Sequence, residues 1–242
     1  MLENIKPDEV LFLDIETVPQ QPSCENLDEA FKNLWEKKSS YFRKPEESAG
    51  EVYARAGIYA EFGKIVCIST GYLTINNGEY FFKVKSLFGQ DEKTILLDFS
   101  GMLNAFTTKK NIQLCAHYGK EYDFPYIARR MLVNGIGLPK LLDIAGKKPW
   151  EVNFIDTLEL WKFGDHKHYT SLDLLTKLFN IPSPKDDIDG SMVANVYWKE
   201  NDLPRIVKYC EKDVLAIAQL FQRYRGESLI KQENCKSLTT FE

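Results

Sequence analysis

The sequence predicts an α/β fold, in which helices flank a mixed sheet whose first three strands are antiparallel. Residues 10–18 form an apolar run with the composition of a buried strand. Residues 64–73 and 79–87 are rich in β-forming side chains, and Asn76-Asn77-Gly78 between them is typical of a hairpin turn. After residue 91, helical and strand patterns alternate, and the chain is predicted to end in helices only.

An excursion over residues 20–60 separates the first two strands. Residues 26–40 have apolar side chains at helical spacing, and a second short helix is predicted over 46–56. The excursion is too small for an independent domain, so we expect a flap or side wall within a single domain spanning 1–242. Its aromatic residues are predicted to form a small core, with stacking on terminal bases as the alternative: Tyr41, Phe42, Tyr53 and Tyr59.

The remaining elements follow from apolar periodicity and from glycine and proline punctuation. Strands are predicted over 112–116 and at 154–155, and helices over 91–108, 124–134, 171–179, 190–201 and 204–224. Gly135 and Gly226 follow two of these helices, and Pro204 opens the last one.

Composition restricts the class of protein. The net charge of −4 argues against a passive nucleic-acid coater, which would carry a basic surface, but not against an enzyme that handles phosphodiesters through bound metal. No apolar run is long enough for a membrane helix, and the N-terminus does not resemble a signal peptide. The five cysteines form no Cys-x-x-Cys pair, which predicts reduced cysteines in a cytoplasmic protein.

Asp14 and Glu16 stand two residues apart in the first strand, so their side chains share one face with Val10 and Phe12. Two neighbouring carboxylates on a mostly apolar strand repel each other and are costly to desolvate. A divalent cation such as Mg²⁺ or Mn²⁺ would compensate, because hard cations take oxygen ligands. The alternative is that both acids lie at an exposed strand end or cap the next element.

Tyr209 and Asp213 lie one turn apart on the apolar stripe of the last predicted helix. An aspartate on the buried stripe of a helix needs a partner, and its mid-helix position between Cys210 and Val214 argues against the alternative of a cap or an exposed acid. Asp123 follows the predicted strand 112–116, where an N-cap is the simple explanation. An aspartate can also cap with one oxygen and bind metal with the other.

Three segments resemble the motifs of the DEDD-type 3′–5′ exonucleases of the ribonuclease-H-like superfamily: Leu-Asp-Ile-Glu-Thr (13–17), Gly-Lys-Glu-Tyr-Asp (119–123) and Tyr-Cys-Glu-Lys-Asp (209–213). The third segment resembles the tyrosine subclass of this family, because Tyr209 stands four residues before Asp213. The other subclass has His five residues before the aspartate, where this chain has Lys208. Residues 183–191 resemble stand-alone bacterial exonucleases related to the family-B polymerase proofreading domain. The resemblance covers about residues 10–225 and implies a ribonuclease-H-like fold.

The resemblance also implies two Mg²⁺ or Mn²⁺ ions and a role for each motif residue. Asp14 would bridge both ions, Glu16 and Asp213 would complete the site of the ion that activates water, and Asp123 would hold the second. Tyr209 would orient the attacking water, because a phenol with a pKa of about 10 is a poor base at neutral pH.

Four further residues are predicted to contact substrate: Thr17, Tyr118, Asp156 and Lys185. Tyr118 occupies a position where the family usually has Asn, which is expected to weaken positioning of the strand unless the ring stacks on a base. Lys185 is predicted to contact the scissile phosphate or orient water, with a solvated loop lysine as the alternative. Asp156 matches an acid near the family's site, and a helix N-cap explains it equally well.

The predicted activity is removal of nucleotides from the 3′ end of single-stranded nucleic acid, with DNA favoured over RNA. Exoribonuclease action is the alternative within the enzyme class, because no motif reports contacts to the 2′ position of the sugar. The alternative to an enzyme is a catalytically weak module that binds 3′ ends, and the presence of Tyr118 is the main support for this alternative. The sequence identifies no polymerase or repair partner.

Overall fold

Six strands form one mixed sheet in the order β5-β4-β1-β2-β3-β6. The strands are β1 (Val10–Pro19), β2 (Gly63–Asn76), β3 (Glu79–Phe88), β4 (Gln113–Ala116), β5 (Ile155–Asp156) and β6 (Cys235–Ser237). β1, β2 and β3 are antiparallel neighbours, and β4, β5 and β6 join the sheet in parallel pairings. The predicted α/β class and the antiparallel start of the sheet are confirmed. The structure is a computed structural model and describes residues 2–108, 111–165, 169–182 and 188–241.

Helices cover both faces of this sheet. They are α1 (Glu29–Ser39), α2 (Glu92–Thr107), α3 (Asp123–Val133), α4 (Thr157–Lys162), α5 (Leu172–Leu178), α6 (Val193–Asn195) and α7 (Leu203–Tyr224). α7 packs on β1, β2 and β3 from one side, while α2 and α3 pack on the other. None of the helices in the described ranges is long and apolar enough to cross a membrane.

β1 separates its side chains between two cores, as the period of two predicts. Leu11 and Leu13 belong to the cluster packed by α2 and α3, whereas Val10 and Phe12 belong to the cluster packed by α7. Asp14 and Glu16 therefore project toward the α7 side of the sheet. A register irregularity between Glu16 and Thr17 marks the point where β1 leaves its regular pairing with β2.

The hairpin between β2 and β3 has the predicted turn. Asn77 and Gly78 form a two-residue loop with φ of 49° and 79°, the left-handed region that Asn and Gly tolerate best. The turn fixes the register from Asn76 opposite Glu79 back to Cys67 opposite Phe88. This register holds the long central strand β2 against β1.

Three predictions of secondary structure need correction. A helix over 46–56 is wrong: Ser48 N–H donates to Glu51 Oε2 at 2.7 Å, and a short 3-10 helix begins only at Tyr53 (Tyr53–Ile58). The chain does not end in helices only, because β6 pairs with the free edge of β3. Helix α4 was not predicted, and the helical stretch over 190–201 is a short α-turn followed by a π-helix at Val196–Glu200.

The excursion over 20–60 has its own small core around Trp35. The indole of Trp35 is fully buried and packs edge-on against Tyr53 and Phe62. Phe42 and Tyr59 pack against the same cluster, whereas Tyr41 is 77% exposed. The small-core interpretation therefore applies to Phe42, Tyr53 and Tyr59 and not to Tyr41.

Candidate active site

Asp14 and Glu16 stand near the end of β1, beyond the point where β4 stops pairing with it. Glu16 is 7% exposed, and Asp14 is half-buried beside it. Burial, followed by the nearby charges of Asp123 and Asp213, raises the pKa of Asp14 well above its usual value. Burial and the charge of Asp14 raise the pKa of Glu16 in the same way. The two acids therefore stand close together in a site where burial disfavours their charged forms.

α7 brings Tyr209, Cys210 and Asp213 to these two acids. The Cys210 thiol lies 3.4 Å from Asp14 Oδ2 and 3.5 Å from the Asp14 carbonyl oxygen. Among the described residues, the ligand atoms of Asp14, Glu16 and Cys210 all lie within 4.8 Å of one another. Sequence reasoning missed Cys210, although its spacing of three from Asp213 places both on one helix face.

Tyr209 is half-buried, and its hydroxyl lies among the acids. Burial is the first cause that raises its pKa, and the charge of Asp213 is the second, with smaller contributions from Glu16 and Asp14. The phenol is thus held in its neutral form. Tyr209 can donate or share a proton in a hydrogen bond, but it is not an anionic base.

Asp123 lies at the first turn of α3 and reaches β1 rather than capping its own helix. The N-cap residue is Tyr122, which makes no side-chain capping bond, so the N-cap explanation of Asp123 is wrong. Instead Asp123 Oδ1 accepts a hydrogen bond from Ile15 N at 3.2 Å. β1 extends past β4, so the Ile15 N–H at this edge needs an acceptor. Burial raises the pKa of Asp123 to about 7.

Thr17 and Asp156 are both committed to protein contacts. The hydroxyls of Thr17 and Tyr122 are 2.8 Å apart, which ties β1 to α3. Asp156 is 2% exposed, caps α4 through Leu158 N, and accepts from Tyr118 N and Lys120 N. These contacts favour the N-cap interpretation of Asp156 over direct substrate binding, because its two oxygens already hold the second motif in place.

Tyr118 and Lys185 complete the predicted set. Tyr118 is in the left-handed region at φ 65°, is 38% exposed, and packs edge-on against Tyr169 with ring centroids 5.4 Å apart. Left-handed backbone is favoured by Gly and Asn, so the Asn expected here from the resemblance would suit the backbone conformation of this position. Lys185 lies outside the described residues.

A cleft of about 570 Å³ opens onto the acids of β1. Asp14, Glu16, Thr17 and Tyr209 line one part of it, and Tyr169 contributes an exposed ring. The 3-10 helix of the excursion lines another part with Ala54, Arg55, Gly57 and Ile58. The excursion is therefore a side wall of the cleft, one of the two roles expected for it.

Residues 58–236 match the family described as "Predicted 3'-5' exonuclease related to the exonuclease domain of PolB". The chain belongs to this family. In this PolB-related exonuclease domain, the matched residues include the segments 119–123 and 209–213, whereas the segment 13–17 precedes them. A comparison with curated proteins found no match.

The fold is also similar to a solved polymerase structure, the family B DNA polymerase from the hyperthermophilic archaeon Pyrobaculum calidifontis. The TM-score is 0.56 at 14% sequence identity, over 90% of this chain and 24% of the polymerase. At this identity the likeness is one of fold. The chain spans about a quarter of the polymerase that it resembles.

Proposed function

We propose that the protein is a metal-dependent 3′–5′ exonuclease that hydrolyses single-stranded nucleic acid, with DNA favoured over RNA. The observation that carries this proposal is the group of buried acids at the floor of an open cleft, in a chain that belongs to an exonuclease family. Burial is the first cause that raises the pKa values of Asp14 and Glu16, and the charges of Asp123 and Asp213 contribute to both shifts.

The donor set fits divalent cations. Carboxylate oxygens are the ligands that Mg²⁺ and Mn²⁺ prefer. Burial, followed by neighbouring carboxylates, raises the pKa values of Asp14 and Glu16, so a bound cation would stabilise their charged forms. Asp14, Glu16, Asp123 and Asp213 would hold two such ions. When bound, the ions would supply positive charge at the scissile phosphate and lower the pKa of water. Burial raises the pKa of the Cys210 thiol, so Cys210 stays protonated and donates to Asp14, and the carboxylates would be the metal ligands.

The protein's own residues orient the reaction. Tyr209 stays protonated, so its hydroxyl can hold the attacking water in line with the phosphorus atom by a hydrogen bond. Asp156 fixes the loop of the second motif and thereby the start of α3, from which Asp123 projects. The Thr17–Tyr122 hydrogen bond holds the same helix against β1.

End-labelled oligonucleotides test the proposal directly. A single strand labelled at its 5′ end should give a ladder of products that shorten from the 3′ end when Mn²⁺ is present. The same strand labelled at its 3′ end should release labelled mononucleotide in the first turnovers. Retention of both labels on full-length strands, or release of internal fragments, would contradict the proposal, and retention with tight binding would favour the binding module. Matched DNA and RNA strands decide the sugar preference.

Replacing Tyr209 with Phe is expected to lower kcat by roughly ten- to a thousand-fold, in the range where a positioned hydrogen bond contributes about 1.4–4 kcal/mol to the barrier. The ring stays packed and only the hydroxyl is lost, so stabilisation of the protein by Mn²⁺ should remain. Steady-state kinetics and thermal unfolding with and without Mn²⁺ measure the two effects. Unchanged kcat would remove Tyr209 from the mechanism and leave it a packing residue.

Replacing Tyr118 with Asn is expected to raise KM by about five- to a hundred-fold, because stacking on a base contributes about 1–3 kcal/mol. The ring of Tyr118 is partly exposed and contacts Tyr169, which lines the cleft. Tyr118→Phe keeps the ring and should be tolerated. A lower KM for Tyr118→Asn would indicate instead that the amide restores a strand contact, and equal KM for all three proteins would exclude Tyr118 from substrate binding.

A further inference from the structure

We propose that Arg55, on the wall of the cleft, binds a backbone phosphate of the substrate strand. The inference rests on the proposed function for the identity of the substrate, but its own evidence comes from the excursion and not from the acidic motifs. Four features carry it: the position of Arg55 in the cleft, its charge among acids, its contact with Phe42, and the attachment of the wall to β1.

Arg55 lines the same cleft as Asp14, Glu16 and Tyr209. It is exposed, and it forms no ion pair with any residue in the described ranges. It is also the one basic side chain among the described residues that line this cleft. A polyanionic strand that approaches the acids must therefore pass a free guanidinium.

The guanidinium of Arg55 is positioned before any ligand arrives. Its Cζ lies 4.3 Å from the centroid of the Phe42 ring, within the range of a cation–π interaction. Phe42 in turn stacks on Tyr59 and contacts Trp35, both with ring centroids 5.9 Å away. A guanidinium that rests on a ring keeps its N–H edge available, and this fork matches two phosphate oxygens.

The wall is fastened to α3 and to β1, the strand that carries the acids. Tyr126 donates a hydrogen bond to Gly57 O at 2.8 Å, and Arg130 donates to Ala60 O at 2.9 Å. Gly57 packs so closely on β1 that a Cβ atom there would lie 3.1 Å from the carbonyl carbon of Val18. Arg55, two residues before Gly57, is thus kept in a constant position relative to Asp14 and Glu16.

A purely structural role for Arg55 is the competing explanation, and the chain contains a matched control for it. Lys38 lies over the ring of Tyr59 in the same aromatic cluster, with its Nζ 4.4 Å from the centroid, but it does not line the cleft. If cations merely stabilise this cluster, Arg55 and Lys38 should behave alike. If Arg55 binds phosphate, only Arg55 should affect substrate.

The test compares Arg55→Gln, Arg55→Lys and Lys38→Gln with the parent protein. For Arg55→Gln we expect KM with Mn²⁺ to rise about five- to fifty-fold while kcat changes less than about threefold. Fluorescence anisotropy with a labelled oligodeoxythymidylate, with Ca²⁺ in place of Mn²⁺, should give a similar rise in Kd. The slope of log Kd against log salt should fall by about 0.7, the value for one lost contact to a single strand. Arg55→Lys should recover part of the affinity, and Lys38→Gln should equal the parent.

Two results would overturn the inference: an Arg55→Gln protein with the Kd and salt slope of the parent, or equal losses in Arg55→Gln and Lys38→Gln. The outcome is separable from failure of the proposed function. A parent that binds the strand without cleaving it, and loses binding on Arg55→Gln, would contradict the nuclease but support the phosphate contact. A parent that cleaves the strand with a KM that Arg55→Gln does not change would support the nuclease but contradict the phosphate contact.

Discussion

Replacing Asp14 with Asn is expected to lower nuclease activity by at least about 1,000-fold, which corresponds to about 4 kcal/mol in the barrier. Burial and then the charges of Asp123 and Asp213 raise the pKa of Asp14, so its carboxylate lies within reach of the charges of other acids in the group. Asn keeps the shape and can still accept from the Cys210 thiol, but it removes the negative charge that a bridging metal ligand must supply. Asp213→Asn should have a similar effect.

The same substitution should leave the metal-free protein folded, with an unfolding temperature equal to or above that of the parent. Removing one of several clustered negative charges relieves repulsion in the native state. Mn²⁺ should raise the unfolding temperature of the parent by binding the native state, and should raise that of Asp14→Asn much less. Asp98→Asn, which changes an exposed acid on α2, is the control and should keep both activity and the Mn²⁺ effect. Near-normal turnover of Asp14→Asn with Mg²⁺ would refute the two-metal assignment.

The sequence predicted the parts of the fold that depend on periodicity. The alternation of Val10 and Phe12 with Leu11 and Leu13 is a local property of β1, and it was sufficient to place the two acids on one face. The apolar stripe of α7 was equally informative, since Ile206 and Ile217 are fully buried. Both patterns are visible in the sequence because each buried position along β1 and α7 requires an apolar side chain.

The wrong predictions concern segments whose structure depends on distant partners. Cys235–Ser237 has no strand pattern of its own and becomes β6 only because the edge of β3 is available to pair with it. Residues 46–56 contain helix-forming side chains, but Gly50 and the bonds of Ser48 with Glu51 favour turns instead. Local propensity predicts neither the pairing of β6 with β3 nor the turns around Ser48 and Gly50.

The candidate site shows the same division between local and distant information. The acids were recognisable because their spacing on β1 and α7 is a motif. Arg55 and Tyr169 were not recognisable, because neither lies in or beside one of the three acidic motifs in the sequence. Only the folded excursion brings Arg55 to the cleft. The contact between Asp123 and Ile15 also depends on the lengths of β1 and β4, which sequence patterns define only to within a few residues.

Replacing Arg130 with Met is expected to destabilise the protein by about 3–5 kcal/mol, the usual cost of leaving one member of a buried ion pair without its partner. Arg130 and Glu92 are each 7% exposed and form a bidentate pair, with Nε–Oε1 and Nη2–Oε2 distances of 2.9 and 2.5 Å. Glu92 also accepts from Ile65 N at 2.7 Å and from Asn134 Nδ2 at 3.0 Å. Loss of the guanidinium would leave a buried carboxylate that joins α2 to β2 with too few donors.

Urea unfolding measures this change, and a second variant identifies its cause. Replacing both Glu92 and Arg130 with Met should restore much of the lost stability, because apolar side chains of similar volume often substitute for a buried pair at little cost. Lys231→Met, which breaks the exposed pair with Glu79, should leave the unfolding midpoint unchanged. Equal stability of Arg130→Met and the parent would show that Glu92 is satisfied without its partner. The Arg130 variant should also show a higher KM for single strands, because Arg130 holds Ala60 and, through it, the wall that positions Arg55.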